Sequence, residues 1–124
     1  MEQKKMIVIK SNEIPWEEKY QEALKKTMYV KWLLKEGQEP DTGMIIRMVR
    51  YPAGFTNKWH YHNCAHGMFV LEGTLVTHAD ELGPGSFVWF PEGMRMEHGA
   101  TAKTEVVALF ITNKPFDIHY EDKK

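Results

Sequence analysis

The chain has 124 residues, 43% of them apolar and 27% charged, with a formal net charge of −1. This length suits a single domain, spanning residues 1–124, whose core needs no staples, and the composition is that of an ordinary globular protein. With no Lys/Arg block, nucleic acid and anionic membranes are set aside as partners; the single cysteine, Cys64, leaves no disulfide framework and fits a reducing, cytoplasmic setting.

The opening segment, MEQKKMIVIK, has no apolar stretch long enough for a signal peptide, and nothing later approaches a membrane span. Residues 16–26 (WEEKYQEALKK) are rich in Glu, Lys and Ala and are the one helical candidate, so residues 1–40 are expected to form a strand-and-helix extension. From Met28 onward the pattern changes to period two. MYVKWLL (28–34) reads as a strand, EGQEPDTG (36–43) as turn, and MIIRMVRYP (44–52) as a second strand stopped by Pro52 and Gly54. HGMFVLEG, TLVTH, SFVWFP and EVVALFIT follow as strands, separated by HADELGPG, EGMRMEHGATAK and NKPFD as connections. Short strands at this spacing predict an antiparallel sandwich or barrel.

Several of these strands are apolar on both faces. Met68 and Val70 oppose Phe69 and Leu71, and Phe87 and Trp89 oppose Val88 and Phe90. A barrel needs only its inner face apolar, so the outer face is expected to be covered by the N-terminal segment and by a second copy in a homodimer.

WHYHNCAHGMFVLEG (59–73) holds three of the six histidines within seven positions. On a strand, His60 and His62 share a face, with side chains starting ~6.5–7 Å apart, close enough to lean onto one ion. His66 has the parity of Met68 and Val70, and far along the chain His98 has the parity of Met94 and Met96. One histidine in an apolar strand is ordinarily a hydrogen-bonded core residue. Several neutral imidazoles buried together leave nitrogens without partners, which a shared metal resolves. The reading is therefore a metal site made by His60, His62, His66 and His98, with one divalent transition metal per chain. Nitrogen-only ligation suits Fe(II) or Zn, then Ni or Cu, over Mg or Ca.

Cys64 reads as a small buried thiol rather than a soft ligand, and His78 and His119, beside acidic turn-like residues, as surface histidines. Met44, Met48, Met68, Met94 and Met96, with Phe87 or Trp89, are candidates to line an apolar pocket, each also a plausible core filler. Arg47 and Arg50 lie on opposite faces of their strand, so at most one points inward; an inward arginine would want an anion. Glu97 opposes His98 in parity and reads as surface, while the direction of Glu81 is open.

The spacing of Gly54, His60, His62, His66 and Gly73 resembles the first motif of the cupin superfamily, with His66 where that family usually has Glu. Gly85, Pro91 and Gly93 resemble its second motif, whose ligand position falls on Met96, with His98 two residues further on the same face. The likeness runs from about Met44 to Thr112 and is closest to single-domain cupins related to the cupin part of zinc-binding anti-sigma factors and to gentisate- and diketone-type dioxygenases. It implies an antiparallel double-stranded β-helix (jelly-roll barrel) and a metal held by the same four histidines. By that resemblance the activity is dioxygenase-like, acting on a small oxygen-bearing substrate. The alternative is a cupin that binds or senses a metal or small ligand without turnover. Replacing Glu by His removes an acidic ligand and an available base, which disfavours proton-transfer chemistry such as isomerisation.

Overall fold

The computed structural model describes residues 5–121. Its strands are β1 (Glu17–Gln21), β2 (Lys26–Leu34), β3 (Ile46–Tyr51), β4 (Thr56–Tyr61), β5 (His66–Gly73), β6 (Leu75–Thr77), β7 (Glu81–Leu82), β8 (Phe87–Phe90), β9 (Met96–Ala100), β10 (Val106–Thr112) and β11 (His119–Tyr120). They form two antiparallel sheets, one of order β1-β2-β3-β10-β5-β8 and the other β11-β4-β9-β6-β7. The expected all-β double sheet is thus present.

Three expectations from sequence are corrected. Residues 16–26 are not helical: Glu17–Gln21 pairs with Lys26–Val30 as a hairpin, and the only helical turn among the described residues is a 3-10 turn at Ser11–Glu13. Helix propensity is a weak prior, and here backbone pairing along β2 overrides it. The chain reverses within residues 22–25, where Lys25 takes a positive φ of 54°. The second correction is β9, which, like β7, lies inside a stretch expected to be a connection. Its glycine looks like punctuation but serves a close approach: a Cβ on Gly99 would strike the Phe55 carbonyl, with the Cα of Thr56 at 2.7 Å. A bare backbone there lets β9 lie against β4.

The core lies between the sheets. Val30, Val49, Met68, Val70, Leu75, Met96, Val106 and Phe110 are buried in one cluster with Tyr51, Phe55 and Phe90. Alternation places their neighbours outward, so Phe69, Phe87 and Trp89 are exposed. Phe87 and Phe69 are register partners, and Trp89 lies opposite Gly67, on the strand that ends the larger sheet. The expectation that Phe87 or Trp89 lines the interior is therefore reversed; Val88 and Phe90 carry the inward side. Among the described residues, no helix is long and apolar enough to cross a membrane.

Candidate metal centre

β4 delivers His60, and the chain immediately beyond it delivers His62. β5 opens on His66, and β9 carries His98. All four side chains are almost wholly inaccessible. The cluster sits where β4 and β9 of the smaller sheet face β5 and β10 of the larger. Ring centroids are 4.9 Å apart for His60–His62, 5.0 Å for His60–His98 and 4.7 Å for His62–His66, with the planes of each pair nearly perpendicular. His66 stands further from His98, at 6.1 Å.

Nitrogen atoms of His60, His62 and His98 all lie within 4.8 Å of one another, an arrangement that could hold a metal ion. His66 is beside this trio rather than in it, stacked on Phe110 at 4.4 Å and tilted against Phe90 at 4.8 Å.

Tautomers follow from the backbone. The Nδ1–H of His60 donates to the Lys58 carbonyl at 2.6 Å, and that of His62 donates to the Asp117 carbonyl in a short contact. Each ring then carries its lone pair on Nε2, turned inward. Both Nε2 atoms are buried without a hydrogen-bond partner, as are both nitrogens of His66 and His98. An unmade buried hydrogen bond costs ~1–3 kcal/mol, so six orphaned nitrogens in one place, four of which carry a lone pair when the rings are neutral, are expensive unless something fills those lone pairs. A divalent transition ion meets that need at ~2.0–2.1 Å from each ligand nitrogen. Orienting ring Nδ1–H groups on carbonyls is how metal-binding imidazoles are commonly held.

Burial keeps the rings neutral and ready to ligate. It lowers the pKa of His62 to about 4 and, with the neighbouring imidazoles, that of His66 to about 2. Burial depresses His60 too, and His98 falls well below its ordinary value for the same reason.

Beside the cluster is a cavity of about 130 Å³ bounded by Arg47, Asn57, His62, His98, Phe110 and Phe116, with Lys19 and Gln21 of β1 along one side. No Asp or Glu is among its lining residues. A larger groove of about 400 Å³ between Ile9, Trp16, Trp32 and Lys35 contains no histidine and lies away from this chemistry.

Of the two strand-β3 arginines, Arg47 is the inward one. Arg50 faces out, near Tyr29 and 3.7 Å from Glu105. Met96 is buried opposite His60, and Met68 is in the core, but Met94 is exposed, so the methionines do not form one pocket lining. Met28, absent from the sequence candidates, does reach the cavity. Cys64 is buried, and burial pushes its thiol up, away from the thiolate a metal would need. His78 and His119 are exposed as expected, stacking near Trp59 and on Tyr61.

Three contributors escaped the sequence reading. Asn57 is buried and accepts a hydrogen bond from the Tyr120 hydroxyl at 2.8 Å. Strict alternation from His60 would turn Asn57 outward, but an irregularity between Asn57 and His60 reverses it. Phe116 and Asp117 belong to an irregular C-terminal strap, held by bonds from the Asn63 backbone and side chain to the Asp117 carboxylate at 2.7 and 2.6 Å. Nothing in its local pattern announces that role.

A family model described as the ChrR Cupin-like domain matches residues 4–117. The chain belongs to that family. Comparison with curated proteins gives no match. Among solved structures, a putative acetylacetone dioxygenase from Methylibium petroleiphilum is similar at 14% identity and a TM-score of 0.76, over 94% of this chain and 82% of that one. The polyketide cyclase RemF from Streptomyces resistomycificus is similar at 16% identity and a TM-score of 0.75, over 97% and 88%. The Rhodobacter sphaeroides complex of SigE with the anti-sigma ChrR matches at 19% identity and a TM-score of 0.64, over 83% of this chain but 51% of that one. At these identities the likeness is one of fold.

Proposed function

We propose that this cupin is a metal-dependent, dioxygenase-like enzyme acting on a small oxygen-bearing substrate at a histidine-only site. The observation that carries the reading is the pair of inward, unpartnered Nε2 atoms of His60 and His62, whose Nδ1–H groups are committed to carbonyls. His98 completes the trio, and His66 is the fourth imidazole in reach of a shift of its ring. When bound, a divalent transition ion supplies a Lewis acid for a substrate oxygen and, as Fe(II), a redox centre for oxygen chemistry.

The chain's own residues do the rest. Phe90, Phe110 and Phe116 ring the imidazoles and exclude water from them. The Asp117 carbonyl orients His62, and the Lys58 carbonyl orients His60. Among the described cavity-lining residues there is no carboxylate to serve as an acidic base for isomerisation. Elemental analysis of protein prepared without chelator, followed by oxygen-uptake assays on small diketones and on small oxo- and hydroxy-acids, tests this. Bound iron with substrate-dependent uptake is expected; an iron-loaded protein inert to every member of both classes would overturn it.

A second reading, a non-catalytic metal-binding or sensing cupin, is favoured by His66. Its two unpartnered nitrogens offer a fourth ligand that would close the coordination sphere. Stoichiometric zinc whose affinity falls in His66→Ala would select that reading. The homodimer expected from sequence is in keeping with the exposed Phe87 and Trp89 on the sheet-ending strand.

A further inference from the structure

Among the described residues, no Asp or Glu lies within ion-pairing distance of Arg47, whereas Arg50, three positions on, has Glu105, and Lys19 beside the cavity has Glu17 at 2.9 Å. The Nε of Arg47 is sealed from solvent with no hydrogen-bond partner. Aromatic rings border its guanidinium, with Phe110 at 4.6 Å, Phe116 at 4.8 Å and Trp32 at 5.6 Å from its central carbon to the ring centroids. Cation–π contacts offset part of the cost of taking that charge out of water, but they leave its Nε–H unfilled. The same guanidinium lines the cavity with His62 and His98. With neutral imidazoles and no acidic lining residue, the cavity is a positive, partly desolvated pocket.

We infer that this cavity is an anion pocket in which Arg47 pairs with the carboxylate of a small oxo- or hydroxy-acid, presenting the acid's neighbouring oxygen to the histidines. The planar guanidinium is suited to a carboxylate, which it can grip through two parallel hydrogen bonds. Size narrows the class further. About 130 Å³ is well below the ~300–1,000 Å³ of ordinary ligand pockets, so an acid of three or four carbons fits where an aromatic one does not. Asn57, fixed by the Tyr120 hydroxyl, adds a polar group to the wall. Only the role of the neighbouring oxygen rests on the metal-centre reading; the pairing with Arg47 stands without it.

Calorimetric titration of the full chain, metal-free and metal-loaded, tests the pairing with lactate, pyruvate and 2-oxobutanoate, each against its own uncharged amide. At least one acid should bind about tenfold or more tightly than its amide. That ratio should fall to about one in Arg47→Met and to an intermediate value in Arg47→Lys, with metal content unchanged in both. Should Arg47→Met fail to fold, the wild-type ratio and the lysine variant decide. Acids binding no better than amides, a preference surviving Arg47→Met, or inorganic phosphate binding as tightly as the best acid would each overturn the assignment. An Arg47-dependent preference in a protein that takes up no metal would uphold the anion pocket and sink the metal centre. A metal-loaded protein without acid preference would do the reverse.

Discussion

Acidifying the metal-free protein from about pH 7.5 to about pH 5.5 should strip away a sizeable part of its stability. In the fold, His62 titrates at about 4 and His66 at about 2, both displaced by burial. Unfolded, each returns to about 6.5. These are depressed pKa values, so the folded rings stay neutral through the window while the unfolded chain takes up protons. Stability is complete above about pH 6.5 and declines as the pH falls toward the folded values. Over this interval each ring contributes about one pKa unit, or about 1.4 kcal/mol, so the two together cost about 3 kcal/mol. His60 and His98 are depressed by the same burial and act in the same direction. Against a typical total of ~5–15 kcal/mol, that is a large fraction. Urea denaturation in the presence of chelator, repeated across the window, measures it directly. The carboxylates with lowered pKa values, Glu17, Asp117 and Glu121, titrate at more acidic pH and do not imitate the effect. A flat or rising stability on acidification would refute the claim that these imidazoles are buried neutral.

Gly99→Ala should destabilise the fold by about 1–3 kcal/mol in urea denaturation, because its new Cβ would be driven into the Phe55 carbonyl and force β9 from β4. Asp117→Ala releases the strap from Asn63 and so loosens the carbonyl that orients His62; metal affinity should drop by roughly 10–100-fold in a competition titration, with the far-ultraviolet spectrum unchanged. Trp89→Lys charges the exposed face of the sheet-ending strand, and sedimentation should show a dimer becoming a monomer without loss of melting temperature.

What the sequence made legible followed from periodicity and spacing. Alternation set Met68 and Val70 on the face opposite Phe69 and turned all four histidines inward, but it left Phe87 and Trp89 as interior candidates that the fold turns outward. What it hid depended on tertiary context. β1 is a strand because β2 offers it a pairing edge, against the preference of its own Glu, Lys and Ala residues. Asn57 faces inward through an irregularity that no alternating pattern announces. Parity allowed one inward arginine but could not choose between Arg47 and Arg50; the absence of a nearby acid, which makes Arg47 chemically interesting, is a property of the folded cavity. The Asp117 carbonyl reaches His62 across 55 positions of chain, beyond any local signal.

The most direct test of the histidine centre is metal content by elemental analysis, comparing untagged wild-type protein with His62→Ala, both purified without chelator. Near one equivalent of a divalent transition metal in the wild type, lost from a folded His62→Ala, is the expected result. An equal metal content in both proteins, or a wild type that neither contains nor gains melting temperature from any such metal, would contradict it.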